Sequence, residues 1–237
     1  MNSHFSAPTC VVIDLDNTLY SYAECHKAGL EALRDFLIPK IGISVREFDG
    51  GWESARLHVK QRLAKTASSH SRLLYLEQLM SDLKLGFRPE ILLQAQQTYW
   101  ASYLIQMQIR EGAEEFLLEC RQAGIPIIIL TDLTSEIQLR KIVRLGLSSL
   151  VDEVLTSEFV GSDKESMAGF DFLAKTKQPH LMRHLWFIGD GPHDHPTQVW
   201  VDANSSIETC ETFEVPQTSF VELCRLLENR SPSKRPL

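Results

Sequence analysis

The amino-acid sequence predicts an α/β chain: a doubly wound parallel sheet into which an all-helical block is inserted after the first strand. Three observations carry this reading. Short apolar runs at 10–15, 125–130, 151–155 and 185–188 have the length of buried strands. From residue 110 onward these runs alternate with amphipathic helical segments, which implies parallel pairing with right-handed crossovers. Between 22 and 108 no comparable run occurs, and apolar residues recur at helical spacing. The expected division is a core of residues 1–21 and 108–237 and a helical cap of residues 22–107.

Pro8 precedes the first strand, which ends on Asp14-Leu15-Asp16. Leu30, Leu33 and Leu37 mark one face of a first cap helix, which Pro39 is expected to end. Ser44-Val45-Arg46-Glu47 has the form of a capping box, and Gly50-Gly51 should weaken or bend the helix that follows. A third helix is expected over 71–85 before Gly86, and a fourth from Pro89. In the core, helical segments over 113–123 and 134–145 stop at Gly124 and Gly146, and Lys164 opens another that runs towards Lys175. A fifth strand is expected at 199–201, a last helix at 220–228 and a frayed tail at 231–237.

With 237 residues and 43% hydrophobic content the chain can bury one substantial core. Lys and Arg number 24 against 31 acids, a net charge of −7, which argues against a nucleic-acid polymer as partner but leaves room for a local basic pocket holding one phosphate. The five cysteines are scattered and lack metal-ligand spacing, so they read as reduced thiols of a cytoplasmic protein. No apolar run approaches ~20 residues and 1–9 has no targeting pattern, so no membrane partner is expected.

In a doubly wound sheet ligands bind beyond the carboxyl ends of the strands. Two acids at the end of one buried strand would cost several kcal/mol if left unpaired. A divalent cation is the obvious partner for Asp14 and Asp16, since hard oxygen ligands suit magnesium, and an aspartate beside the ion could attack an electrophile. Further polar groups stand at the other strand ends or in the loops after them: Thr131, Lys164, and Asp190 with Asp194.

Asp14-Leu15-Asp16-Asn17-Thr18, then Thr131, then Lys164, then Gly189-Asp190-Gly191-Pro192-His193-Asp194 resemble, in order, the four motifs of the haloacid dehalogenase (HAD) superfamily of phosphotransferases. The helical insertion looks like the cap of its phosphoglycolate phosphatase-like and nucleotidase-like branches. The resemblance implies a Rossmann-like core and a magnesium-dependent phosphatase that hydrolyses a small phosphate ester through an aspartyl phosphate. It makes Asp14 the nucleophile and Asp16 the general acid and base. Thr131 and Lys164 would hold the equatorial phosphoryl oxygens. Magnesium would sit between Asp14, the backbone carbonyl of Asp16 and Asp190, with Asp194 ligating directly or through water. Asp132 would border the phosphate. His70 and Arg72, at the start of the third cap helix, would offer an anionic substrate group free N–H groups and a guanidinium. Arg56, Lys60 and Arg62 are further cap contributors.

Three features depart from the pattern. Glu165 follows Lys164 where relatives have proline, Asp132 stands where asparagine is common, and 195–200 lacks a small Gly-Ala pattern. A phosphomutase and a catalytically silent phosphate-binding or scaffolding relative are the alternatives. A dehalogenase does not use an acid two residues after its nucleophile, so Asp16 argues against that chemistry. His193 and His195 read as loop residues and not as ligands of a transition metal.

Overall fold

In the computed structural model, which describes residues 6–230, the first apolar run becomes strand β1 (Cys10–Ile13), buried at every position because it is central in the sheet. The chain then leaves the sheet to build four cap helices, α1 (Tyr22–Ile41), α2 (Val45–Arg62), α3 (Arg72–Asp82) and α4 (Pro89–Gln106). It returns through α5 (Ala113–Gln122), β2 (Ile127–Thr131), α6 (Ser135–Arg144), β3 (Glu153–Thr156) and the single turn α7 (Ser157–Val160). The remaining elements are α8 (Ala168–Thr176), β4 (His184–Gly189), α9 (Gln198–Ala203), β5 (Thr209–Glu214) and α10 (Phe220–Arg230).

All pairings within the sheet are parallel, in the order β3-β2-β1-β4-β5. Strand order reverses between β1 and β4, so the crevice of the fold opens beside Asp14 on one side and Asp190 on the other. Val11 and Ile13 face one side of the sheet, in a cluster that continues through Leu19 and Tyr20 into the cap. Cys10 and Val12 face the other side, with Phe170, Phe187 and Trp200. The two connections to the cap run together: Tyr20 bridges Ile109 in antiparallel fashion, and the Arg110 amide donates to the Leu19 carbonyl at 2.8 Å.

Several local expectations hold and others need correcting. Ser44 and Glu47 form the capping box, and Pro89 occupies the first turn of α4. Pro39 does not end α1. It lies inside the last turn, where it removes one amide donor without stopping the helix, which ends at Gly42, whose φ of 71° provides the left-handed cap. Gly50-Gly51 leaves α2 uninterrupted; a Cβ at Gly51 would lie 2.5 Å from Leu79 Cδ1, so the absent side chain lets α2 approach α3. Lys164 opens only one 3-10 turn, Lys164–Ser166, before Met167 at φ 65° separates it from α8.

The fifth strand is not at 199–201. That stretch is helix α9, capped by Thr197, with Trp200 turned inward and Val199 79% exposed. Strand β5 lies at Thr209–Glu214, an edge strand bordered on one side only and therefore free to carry Glu211 and Glu214. The tail expected at 231–237 and residues 1–5 lie outside the described residues. Among the described residues no helix is long and apolar enough to cross a membrane.

Candidate active site

The floor of the crevice is built at the carboxyl end of β1. Asp14 is buried; its Oδ1 accepts from Lys164 Nζ at 2.6 Å and its Oδ2 from Thr18 Oγ1 at 2.9 Å. The same Lys164 ammonium pairs with Asp194. Asp194 Oδ2 in turn accepts from the backbone amides of Asp190 and Gly191 at 2.9 and 3.0 Å. This loop closes only on a glycine, because a Cβ at Gly189 would overlap the Asp194 side chain. Asn17, held at φ 65°, donates through Nδ2 to Asp190 Oδ2 at 2.8 Å.

One ligand atom from each of Asp14, Asp190 and Asp194 lies within 4.8 Å of the others. Three carboxylates therefore share this corner with one ammonium, which pairs with two of them, and the site is short of positive charge. Burial pushes the Asp14 carboxyl up to about 8; Lys164 pulls it down, but Asp194 and Asp16 add to the burial effect. Burial also opposes charge on Lys164, yet Asp14, Asp194 and Asp132 hold it protonated. An all-oxygen donor set that lacks counter-charge fits magnesium.

Asp16 turns its side chain the other way. Oδ1 accepts from Lys141 Nζ at 2.5 Å and from the Tyr20 hydroxyl, and Oδ2 from Gln138 Nε2 at 3.0 Å. Lys141 is 1% exposed and lies 5.4–5.9 Å from the ring centroids of Tyr20, Trp100 and Tyr103. Burial would raise the Asp16 carboxyl, but the charge and hydrogen bond of Lys141, with Tyr20 and Gln138, bring it below the usual range. Of the predicted metal-binding residues, Asp14, Asp190 and Asp194 come together, whereas the Asp16 carboxylate stands apart.

Thr131 is buried at the end of β2, with Oγ1 accepting from Gln138 Nε2 at 2.6 Å. Asp132 Oδ1 accepts from the Lys164 amide at 2.9 Å, so the acid anchors the turn that presents the lysine. Burial raises the Asp132 carboxyl, against the opposing pull of Lys164.

The cap closes a cavity of about 300 Å³ over this floor, lined from the cap side by His26, Arg56, Lys60, His70 and Arg72 among others. His70 Nε2 contacts Asp163 Oδ2 at 3.1 Å, and the Lys65 carbonyl accepts from the Asp163 amide at 3.0 Å and Ser162 Oγ at 2.9 Å. These contacts fasten the cap to the loop ahead of Lys164. Arg72 does not present the open guanidinium expected of it. It is 7% exposed and donates to Tyr99 Oη, the His70 carbonyl and Tyr22 Oη at 3.3, 2.7 and 2.9 Å. Nor is the start of α3 an open helix end, since Ser71 Oγ accepts from the Leu74 amide at 3.4 Å.

Sequence reasoning missed Lys141, Gln138, Tyr20 and the role of Asn17. One signal was available: Gln138 and Lys141 share the buried stripe of α6 with Ile137 and Ile142, where a lysine is out of place unless it meets an acid. His193 and His195 join no cluster able to hold a metal among the described residues.

The sequence matches the haloacid dehalogenase-like hydrolase family over residues 8–197. A protein of Halopiger xanaduensis named ribulose-1,5-bisphosphate 5-phosphatase is 40% identical over 167 residues, 68% of this chain and 68% of that protein. A HAD phosphatase from Thermococcus onnurineus shares the fold with a TM-score of 0.63 at 18% identity, covering 94% of this chain and 99% of the other. The magnesium-bound YfnB of Bacillus subtilis gives 0.64 at 17% identity, with coverage of 94% and 99%. The 2-haloacid dehalogenase of Pseudomonas syringae pv. Tomato DC3000 gives 0.60 at 19%, covering 79% and 80%. At such identities the solved structures show the common fold alone.

Proposed function

The chain belongs to the haloacid dehalogenase-like hydrolase family and is a phosphatase of it, and from that premise we propose that it uses magnesium to hydrolyse a small phosphate ester through an aspartyl phosphate on Asp14. The observation that supports this most is Asp14 itself, a carboxylate buried at a strand end with Lys164 at 2.6 Å and two further acids within reach of one cation.

Asp14, Asp190 and Asp194, with the backbone carbonyl of Asp16, would hold magnesium, which would supply the charge that lets an anionic nucleophile approach an anionic phosphate. Lys164 and the Thr131 hydroxyl hold the phosphoryl oxygens on which charge accumulates. Asp14 attacks phosphorus in line; an O–P bond forms to its carboxylate as the ester P–O bond breaks, and the departing alkoxide takes its proton from the protonated form of Asp16. Lys141, Tyr20 and Gln138 disfavour that form in the resting site, so Asp16 takes up a proton from solvent before this half of the reaction. Asp16 then takes a proton from the water that attacks the aspartyl phosphate, releasing inorganic phosphate and restoring Asp14. The bias that Lys141 gives Asp16 towards its ionised form favours this second half. The fastened cap keeps bulk water from the intermediate and restricts the substrate to a small molecule.

Ribulose 1,5-bisphosphate, named in the Halopiger relative, heads a panel that continues with sugar monophosphates, nucleoside monophosphates and phosphoglycolate. Asp14→Asn is expected to abolish magnesium-dependent phosphate release from every member, and Asp16→Asn to accumulate the aspartyl phosphate, detected by intact mass. Turnover retained in Asp14→Asn would sink the nucleophile assignment.

A further inference from the structure

We propose that Arg56 and Lys60 on α2, with the buried charge of Arg72 behind them, form a cradle for a second phosphate, so that the substrate is a bisphosphorylated small molecule whose other phosphate is transferred on Asp14. This rests on the phosphatase reading above and goes on to name the substrate class.

The cations of the cavity fall into two groups. Those on the floor are matched by acids: Lys164 by Asp14 and Asp194, Lys141 by Asp16. Arg56, Lys60 and Arg72 on the cap wall are matched weakly or not at all. Arg72 donates only to neutral oxygens, and among the described residues no carboxylate forms an ion pair with it. Lys60 is partly buried and makes neither a hydrogen bond nor an ion pair among the described residues. Arg56 has one weak partner, Glu53 at 3.3 Å, three residues back on its own helix and 62% exposed.

Arg56 and Lys60 are four residues apart and so lie on one face of α2, where like charges destabilise a helix. Both line the cavity, as does Arg72. Two neighbouring groups register the resulting field. Lys60 is held below its ordinary value by burial and then by Arg56 and Arg72, with Asp163 and Asp132 pulling the other way. His26, whose Nδ1 lies 2.7 Å from Tyr99 Oη, is pushed down to about 4 by burial and then by Arg72 and Arg56. The wall therefore lacks an anion that the protein does not provide. The transferred phosphate is assigned to the floor, where Asp14, Thr131 and Lys164 line the cavity, which leaves the charge of the wall for a second anion. Three positive charges at one wall match a dianionic phosphate better than a monoanionic carboxylate.

The test compares kcat/KM for a pentulose bisphosphate and the matching monophosphate in the wild type, Arg56→Met, Lys60→Met and the double variant. Each substitution keeps the aliphatic stem and removes the charge. Wild type should prefer the bisphosphate by about 100-fold, on the order of tenfold for each charge-assisted contact, and the double variant should bring that ratio below about 5, mainly through KM. Added salt should erode the wild-type preference. A wild-type ratio near 1, an unaltered ratio in the double variant, or phosphoglycolate turned over as well as the bisphosphate would overturn the cradle. Calorimetric binding of the bisphosphate to Asp14→Asn protein reads the cradle without turnover. Binding there that depends on Arg56 and Lys60, with no ester hydrolysed by the wild type, would overturn the phosphatase reading and leave the cradle standing.

Discussion

The core side of the cavity sets Lys164 and Lys141 against carboxylates, whereas on the cap side Arg72 meets neutral acceptors, Arg56 one exposed acid at 3.3 Å, and Lys60 no partner among the described residues. Lys164 bridges Asp14 and Asp194, and Lys141 meets Asp16 at 2.5 Å, so the groups proposed to react are oriented before any substrate arrives. Arg72 and Lys60 carry charge into the same cavity without a fixed acid. The contrast separates two tasks. A floor whose charges face one another holds geometry, and on the proposed reading a wall whose charges face the cavity selects what enters.

The hardest blow to that contrast is Lys164→Met, which leaves Asp14 and Asp194 with no ammonium between them. Turnover is expected to fall about 10²–10³-fold or more, as when a transition-state donor is lost. At the proposed magnesium site the ion would then be the main remaining counter-charge, so the variant's melting temperature should rise more on adding magnesium, and fall more on adding a chelator, than that of the wild type. Equal responses in the two proteins would show that Lys164 and the metal do not share the same charge deficit.

A second break lies under Asp16. Lys141→Met strands a carboxylate that is partly buried, and removing one member of a buried pair costs about 3–5 kcal/mol. The Asp16 side chain keeps 28% exposure, so the low end of that range is expected in urea unfolding. Adding Asp16→Asn to Lys141→Met should recover much of the loss in stability, although turnover will not return. An additive double variant would mean that the pair contributes no coupling.

The fastening of cap to core is a smaller effect. His70→Gln should raise KM by about tenfold, the scale of one charged hydrogen bond, with less change in kcat. Its pH dependence follows from Asp163. Burial favours the protonated acid, but the hydrogen bond and charge of His70 outweigh it and keep the carboxyl below its ordinary value. The corresponding stability is present above about pH 3.9, the unfolded value, and is lost as the pH falls through the lower folded value. The stability difference between wild type and His70→Gln should therefore shrink on acidification below about pH 4, as followed by urea unfolding at a series of pH values.

The same division explains what could be read without coordinates. Asp14, Thr131, Asp190 and Asp194 stand at strand ends or in the loops after them, and a parallel sheet brings such positions to one crevice whatever its details. Lys141 and Gln138 reach the site from a helix face, where orientation depends on how α6 rolls against the sheet. Strand β5 is hard to read in the sequence because Glu211 and Glu214 dilute its alternation at an edge, and the apolar triplet 199–201 mimics a strand although Trp200 and, in part, Val201 face the core from a helix while Val199 is exposed. On the cap, Arg56, Lys60 and Arg62 looked equivalent in sequence. The packing separates them: Arg62 Nη1 donates to Gln78 at 2.9 Å and does not line the cavity, while the other two do.

The mildest change tests the floor at Asp132. Asp132 contributes an acceptor, since its Oδ1 receives the Lys164 amide at 2.9 Å, and an amide oxygen can accept the same bond. Its negative charge is a separate matter. Burial is the largest influence on Asp132 and raises its carboxyl, Asp163 adds to this, and Lys164 does not offset the sum. A carboxyl raised on folding opposes stability once the pH exceeds the unfolded value of about 3.9, because the folded state must give up a proton it holds more tightly. Asp132→Asn should therefore stabilise the protein by less than about 1 kcal/mol at pH 7, and the gain should fade as the pH is lowered through 4. With one negative charge fewer beside the phosphate, KM should fall a few-fold while kcat changes little. Destabilisation at pH 7 would show that the carboxylate is needed for its charge and not only as the acceptor that positions Lys164.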